Sequence, residues 1–208
     1  MLSLTEKVLL LTINEDKGTF SFTASMVIDY ILTGALLMEL ELLKRTTADK
    51  KTLKVLNSSS TNNPRLDEVL RQLHSSKKVH SPDYWVRKLR RSMKNLRKEI
   101  LEEMVDKALL REEEHQTLIF FTTYRYPVRD IRGKKDIMDL IYRTLMRDEK
   151  PDQATTKLIS LLHVSGLLPH LFDKDERKEA KKNANKISKD DILANAVKKA
   201  IQASSGSA

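Results

Sequence analysis

Residues that break helices are scarce along this chain. It contains only five glycines and five prolines among 208 residues, whereas leucine, lysine, glutamate and methionine recur throughout. Glycine and proline disfavour helices, whereas leucine, lysine, glutamate and methionine favour them. A chain of this length is typical of one domain. The sequence therefore predicts a mostly α-helical protein, a single globular domain of several helices over residues 1–203, followed by a flexible tail over residues 204–208.

Two regions depart from the helical pattern. Residues 46–63 are polar and include a run of Ser, Thr and Asn, which predicts an exposed loop after one short strand, Thr52–Leu56. Residues 118–123 are β-branched and aromatic. Together with the apolar pair 109–110, they predict a small β-hairpin, with the acidic residues 112–114 as a solvated turn.

Three residues predict local features of the fold. Ser3 precedes the first apolar helix and is a favoured N-cap residue. Gly18 ends a polar turn, where it is free to adopt a positive φ angle. Gly34 lies within a predicted buried helix, Ser25–Arg45, and its missing side chain indicates that another element approaches closely there.

The segment Arg87–Lys98 has the strongest charge pattern in the chain. Seven of its twelve residues are basic and none is acidic. As one helix that begins at Ser81-Pro82, it would place its cations on one face and a row of apolar side chains beside them. The cations are Arg87, Arg90, Arg91, Lys94, Arg97 and Lys98, and the apolar residues are Val86, Leu89, Met93, Leu96 and Ile100. The apolar row predicts burial, and the basic face predicts contact with water or with an anionic partner.

Several interpretations of this basic face remain open. The formal net charge of +9 favours anionic partners, which include a membrane surface, nucleic acid or an acidic protein. A solvated helix face fits the pattern as well. Aromatic residues do not interleave with the cations as a base-stacking platform requires, which disfavours nucleic acid. No apolar run approaches about 18 residues, so a membrane role would be peripheral.

Patterns typical of catalysis or metal binding are missing from the sequence. No two of the five histidines are spaced four residues apart, the glycines are isolated, and there is no cysteine. We therefore predict a protein that is not an enzyme, with no catalytic residues, no metal site and no cofactor. His163 lies in an apolar run and is predicted to be in the core or at its edge.

The predicted hairpin contains Phe120, Phe121, Tyr124 and Tyr126, which are four of the chain's few aromatic residues. One interpretation is a two-stranded element packed on the helices. The other is an exposed tip of Tyr124, Arg125 and Tyr126 that contacts a membrane interface or joins two copies of the chain. An isolated hairpin is marginally stable in water, so it needs a partner within the protein or outside it.

Several segments between residues 4 and 172 together resemble the Golgi phosphoprotein 3 family, which includes a yeast sorting protein that retains Golgi glycosyltransferases. They occur in the family's order and are Leu4–Leu11 with Asp16–Gly18, Leu32–Leu40, Leu66–Leu70, Lys94–Leu109, Thr122–Pro127 and Leu158–Leu171. The resemblance implies a mostly α-helical domain with a β-hairpin. It also implies binding of phosphatidylinositol 4-phosphate on a basic face, and recruitment from the cytosol to Golgi membranes.

The resemblance also implies a set of lipid-binding residues. The family's pocket uses a tryptophan and an arginine near the second helix and two arginines one turn apart on the basic helix. The helix pair corresponds to Lys94 and Arg97, the other arginine to Thr33, and the tryptophan to a position near Ala24. Lysine keeps the charge but loses the bidentate fork of arginine. The predicted lipid-phosphate site is therefore Lys94 and Arg97, with Arg90, Arg91 and Arg87 before them.

These features predict a peripheral membrane adaptor that binds anionic lipid headgroups and acts in membrane trafficking or in retention of membrane enzymes. A basic helical nucleic-acid-binding domain is the alternative. The expected partners are anionic membrane lipid, cytosolic tails of membrane proteins and, through the hairpin, a second copy of the chain.

The expected location is the cytoplasm, peripherally on a Golgi-like membrane. The first ten residues carry Glu6 and no basic stretch ahead of an apolar run, which argues against a signal peptide. Eukaryotic family members have an arginine-rich N-terminal tail that contacts the vesicle coat. We expect this tail to be absent, because the sequence starts directly at its first predicted helix.

Overall fold

The computed structural model describes residues 2–117 and 121–205. Its elements in chain order are α1 (Leu4–Thr12), α2 (Phe22–Leu42), β1 (Thr46–Ala48), β2 (Leu53–Val55), α3 (Pro64–His74), α4 (Pro82–Ser92), α5 (Leu96–Asp106), β3 (Glu113–Thr117), β4 (Phe121–Arg125), α6 (Ile131–Met146), α7 (Gln153–Val164), a 3-10 turn (Leu168–Leu171), α8 (Arg177–Ser188) and α9 (Ile192–Ser205). Within these residues, β1 pairs with β2 and β3 pairs with β4, both antiparallel. The predicted mostly α single domain with a small hairpin is confirmed.

Helix α2 lies at the centre of the fold. Helices α1, α3, α4, α5, α7 and α9 pack around it, and its middle is almost completely buried. By length and composition α2 could cross a membrane, which corrects the expectation that no apolar run approaches about 18 residues. However, 72% of its most apolar window is buried inside the protein. This burial is typical of a core helix.

The predictions for Ser3 and Gly18 are confirmed. Ser3 Oγ accepts a hydrogen bond from Glu6 N at 3.2 Å, and Ser3 N donates one to Glu6 Oε2 at 2.7 Å, which completes a capping box at the start of α1. Gly18 has a φ of +61°, and a Cβ there would lie 2.3 Å from Tyr126 N. Any other residue at position 18 would therefore clash with the backbone of Tyr126 and push this turn away from the end of the hairpin.

Helices α2 and α9 approach each other closely at Gly34, as the sequence predicts. A Cβ on Gly34 would lie only 2.3 Å from Val197 Cγ2. Val197 is itself fully buried and β-branched, so its side chain has little freedom to move away. The missing side chain at Gly34 is therefore what allows α9 to cover α2.

We expect Gly34→Ala to lower the free energy of unfolding. Overpacking a core costs about 1–3 kcal/mol, which exceeds the roughly 1 kcal/mol that alanine gains over glycine in a helix. Adding Val197→Ala should restore most of the loss, because it removes the clashing methyl groups. Urea denaturation of the wild type, both single variants and the double variant measures this coupling. A Gly34→Ala variant as stable as the wild type would contradict it.

A buried carboxyl group connects α2 to α1. Glu39 Oε1 accepts a hydrogen bond of 2.5 Å from Leu4 N at the start of α1. Burial raises the pKa of Glu39 to about 7, and the nearby Glu6 carboxylate also raises it, while the hydrogen bond from Leu4 opposes the rise. Glu39 therefore changes its charge near neutral pH.

The raised pKa of Glu39 predicts a pH-dependent stability. Between the ordinary pKa of 4.5 and the folded value of about 7, the folded state binds more protons than the unfolded state. The contribution of Glu39 protonation to the free energy of unfolding is therefore complete below about pH 4.5 and is lost as the pH rises through about 7. We expect Glu39→Gln, whose amide oxygen still accepts from Leu4 N, to flatten this decline in urea denaturation across the same pH range. Parallel pH profiles for the two proteins would contradict the assignment.

The basic segment is not one continuous helix. Helix α4 ends at Ser92, Met93 adopts a non-helical conformation (φ −106°, ψ 58°), and α5 begins after Asn95. An unbroken helix would place Lys94 four residues from both Arg90 and Lys98, and such like-charge pairs are destabilising. Asn95 is the N-cap residue of α5, but its side chain forms no capping hydrogen bond. Burial of the apolar row is confirmed for Val86, Leu89, Leu96 and Ile100, and Met93 is half-buried.

The predicted loop at 46–63 contains more structure than one strand. Thr46–Ala48 pairs with Leu53–Val55, and both Thr46 and Leu53 are buried. Strands of three residues are too short to show an alternating pattern, so the sequence does not reveal the first one.

At the C-terminal end of the chain, α9 continues through Ser205, so residues 204 and 205 of the predicted tail are helical. The rest of that tail, 206–208, lies outside the described residues.

The hairpin is present, but its strands are placed differently from the prediction. Glu113 and Glu114 lie in β3 and not in a turn, since β3 pairs with β4. Residues 118–120, which include Phe120 of the predicted hairpin, lie outside the described residues. Tyr126 was predicted at the tip; that is wrong, because it follows β4, is 9% exposed, and donates from its backbone N to Gly18 O at 2.9 Å. Tyr126 therefore anchors the hairpin to the helical core.

Candidate anion-binding site

A cavity of about 270 Å³ lies between α2 and the turn that joins α4 to α5. We call it the basic cavity. It is lined by Asp29, Thr33, Arg90, Arg91, Met93, Lys94 and Leu96. The turn at Met93 brings Lys94 to the same opening as the arginines at the end of α4. The helix break that the sequence did not predict therefore shapes this site.

Three cations of the basic cavity have no carboxylate partner. Arg90, Arg91 and Lys94 are exposed, and none of them forms a salt bridge with any acidic residue in the described parts of the chain. The guanidinium carbon of Arg90 lies 4.4 Å from the centre of the Tyr30 ring, a cation–π contact that orients this side chain. The three groups are therefore available to an anion.

Asp29 is the acidic member of the cavity lining, and Arg97 pairs with it. Arg97 Nε lies 3.5 Å from Asp29 Oδ1, and the guanidinium carbon of Arg97 lies 5.8 Å from the centre of the Phe20 ring. The cluster then contains one carboxylate, that of Asp29, and four cations, Arg90, Arg91, Lys94 and Arg97, so its net charge is +3. Arg97, predicted as a centre of the site, therefore lies at its edge, where it offsets the charge of Asp29.

Thr33 and Ala24, which the resemblance aligns with the family's second-helix arginine and tryptophan, lie on different sides of α2. Thr33 lines the basic cavity, is buried, and donates its hydroxyl to Tyr30 O at 3.0 Å. Ala24 is also buried, but it lines a separate cleft of about 610 Å³ that includes Glu15 and Asp16. Thr33 therefore contributes no charge to the basic cavity, and Ala24 does not reach it.

The neighbouring cations of the predicted basic face are already paired. Arg87 Nη1 lies 2.8 Å from Asp83 Oδ2, and Lys98 Nζ lies 3.6 Å from Glu102 Oε1. Arg87 also lines a second cavity of about 270 Å³ beside Arg90, Arg91 and α9. Arg87, which the sequence predicts as a phosphate-binding residue, is therefore paired in this structure with Asp83 one turn earlier, which offsets its charge.

Of the predicted hairpin contacts, Tyr124 is 49% exposed and Arg125 is partly exposed. They lie in β4 opposite Glu114 and Glu113 respectively. This pairing places a carboxylate directly across from Arg125, which reduces its capacity to attract an anionic surface.

Sequence reasoning missed Asp29 and Tyr30 as members of the site. Asp29 lies four residues before Thr33 on one face of α2, and this spacing could have indicated that it belongs to the site. The Arg90–Tyr30 contact depends on how two helices pack.

Within residues 2–117 and 121–205, no group of three or more acidic or histidine side chains could hold a metal ion. His163 lies half-buried at the edge of the core, as predicted, and burial lowers its pKa.

Comparison with known proteins identifies the family. The family model described as Golgi phosphoprotein 3 (GPP34) matches residues 4–204. The chain belongs to the Golgi phosphoprotein 3 family. This confirms the resemblance carried by the ordered segments, and the family is related to trafficking at the Golgi.

Among individual proteins, the chain is similar to the vacuolar protein sorting-associated protein 74 of Schizosaccharomyces pombe (strain 972 / ATCC 24843). The two are 27% identical over 164 residues, which is 69% of this chain and 48% of that protein. The match thus spans about half the length of this relative.

Proposed function

We propose that this chain is a peripheral membrane adaptor that binds phosphate-bearing lipid headgroups, such as that of phosphatidylinositol 4-phosphate, in its basic cavity. The observation that supports the proposal is the convergence of Arg90, Arg91 and Lys94 on one opening with no carboxylate partner among the described residues. Membership of a Golgi trafficking-related family is consistent with a cytoplasmic protein attached to the surface of such a membrane.

The chemistry of the cavity favours binding over catalysis. Guanidinium and ammonium groups donate hydrogen bonds and stay protonated at neutral pH, so they hold an anion but do not accept a proton. Asp29, which has a carboxylate that could accept one, is paired with Arg97. A volume of about 270 Å³ is suited to one small charged group. We therefore propose a role without catalysis.

Nucleic acid is the less favoured partner. A basic stripe that follows a phosphate backbone needs several free cations in a row. Here the segment is divided at Met93, and Arg87, Arg97 and Lys98 are paired with carboxylates. Arg90, Arg91 and Lys94, which have no carboxylate partner among the described residues, share one cavity, which is more suited to a single headgroup.

The adaptor role includes a protein partner. We propose that the membrane-attached chain contacts cytosolic tails of membrane proteins and contributes to their trafficking or retention. The proposal follows from the family resemblance, and lipid binding in the basic cavity is the part that the geometry supports.

We expect Arg91→Ala with Lys94→Ala to weaken binding to phosphatidylserine-containing vesicles by more than tenfold at low salt. Each basic residue near an anionic surface contributes about 1 kcal/mol, and about 1.4 kcal/mol corresponds to a factor of ten. Vesicle flotation measures the bound fraction, and a gel shift with duplex and single-stranded DNA and RNA runs beside it.

The matched control is Lys50→Ala with Lys51→Ala. It removes the same charge from exposed positions in the turn between β1 and β2, which do not line the basic cavity. Equal losses in the two double variants would show that net charge, and not the cavity, determines binding. A gel shift at lower protein concentration than vesicle binding would favour the nucleic-acid function.

We also expect weak headgroup selectivity and a steep dependence on salt. Thr33 supplies no charge where the family has an arginine, and Lys94 lacks the bidentate fork. Exposed charges are screened beyond about 8 Å at 0.15 M salt. Vesicles of equal charge that contain phosphatidylinositol 4-phosphate or phosphatidylserine should therefore bind with similar affinity. A strong preference for phosphatidylinositol 4-phosphate would contradict this prediction and indicate a selective pocket.

A further inference from the structure

Helix α2 begins with two large apolar side chains in water. Phe22 is 81% exposed and Met26 is 59% exposed. Single exposed apolar residues are common on protein surfaces, but neighbouring ones on one face form a patch. These two are four residues apart, so they lie side by side on the same side of the helix.

The apolar pair shares its face of α2 with the basic cavity. Positions 22, 26, 29 and 33 fall within an arc of about 60° at 3.6 residues per turn. Asp29 and Thr33 line the basic cavity. With a rise of 1.5 Å per residue, Met26 lies about 10 Å and Phe22 about 16 Å from Thr33 along the axis. Apolar side chains and unpaired cations therefore follow one another along a single surface.

Arg97 joins the two parts of this surface. It pairs with Asp29 on the face of α2 and lies over the ring of Phe20, two residues before Phe22. Ala24 is on the opposite side of α2 and faces the cleft that holds Glu15 and Asp16. These carboxylates therefore flank the far side of the helix, and the surface that carries Phe22 and Met26 is apolar and basic.

We infer that Phe22 and Met26 enter the apolar boundary of an anionic bilayer while the cations of the basic cavity hold its headgroups. The inference rests on the proposed function and adds an anchor that is distinct from the hairpin. Amphipathic helices bury their apolar side chains about 5–10 Å into the interface. The 10–16 Å spacing along α2 allows Arg90, Arg91 and Lys94 to stay at headgroup level when the N-terminal end of α2 tilts inward.

A second copy of the chain is a poorer occupant of this surface. A two-fold interface places the same patch of both copies face to face. It would therefore bring two groups of net charge +3 close together, and like charges at an interface oppose association. A bilayer with anionic headgroups offers the opposite charge beside an apolar layer, which matches both parts of the surface.

The anchor predicts binding that persists in salt. Salt screens the cations, whereas burial of apolar side chains is not weakened by it. Phe22→Ser with Met26→Ser should weaken binding to phosphatidylserine-containing vesicles by about tenfold or more at low salt, and at 1 M salt, where the Debye length is about 3 Å, it should remove the residual binding that the wild type keeps. The control, Leu56→Ser with Val79→Ser, removes two other exposed apolar side chains, 61% and 60% exposed, and should match the wild type.

A labelling experiment tests the insertion directly. The chain has no cysteine, so Phe22→Cys, Met26→Cys and the control Val79→Cys can each carry a single environment-sensitive fluorophore. We expect a blue shift on addition of the vesicles at positions 22 and 26 and none at 79. If the wild type binds but neither label shifts, the anchor is wrong and the proposed function stands. If the wild type does not bind, both are wrong. A shift without vesicles that accompanies a doubled mass in light scattering would identify a second copy and overturn the anchor.

Discussion

The middle of α2 has almost no contact with water, because α1, α3, α4, α5, α7 and α9 surround it. Such a helix can be enclosed only if its neighbours approach closely, and Gly34 allows this where Val197 of α9 meets it. The exposed face at its N-terminal end is what remains for function. Phe22, Met26 and Asp29 lie on that face, so the packing of the core decides which side chains are offered to a partner.

The same packing determines which cations are free. The chain between α4 and α5 turns at Met93, next to α2, and places Arg90, Arg91 and Lys94 around one opening. Arg87, Arg97 and Lys98 of that segment are paired with carboxylates, and Lys88 lies over the ring of Trp85. Positive charge is therefore concentrated in one cavity and is not spread along a helix. This concentration distinguishes a headgroup site from the general attraction that a net charge of +9 provides.

The fold class was predictable because the scarcity of helix breakers and the apolar periodicity determine secondary structure within each short segment. The N-cap at Ser3 and the close approach at Gly34 followed from residue type alone. The break at Met93 was not predicted, because the like-charge pairs around Lys94 are a weaker signal than the apolar periodicity that runs through the break. Tyr126 was misplaced for a similar reason, since its backbone bond to Gly18 depends on how distant segments meet. The spacing of the cations predicted that Lys94, Arg90 and Arg91 share a face, but the pairing of Arg97 with Asp29 required the tertiary structure.

The central claim is that the basic cavity binds a phosphate-bearing headgroup through its unpaired cations. Nuclear magnetic resonance of the arginine side-chain Nε–H groups, recorded while a soluble short-chain phosphatidylinositol 4-phosphate is added, tests this claim most directly. We predict saturable shifts at Arg90 and Arg91, a smaller shift at Arg97, and none at Arg87, which stays with Asp83. Shifts of similar size at Arg87 and at arginines far from the cavity, without saturation, would contradict the account.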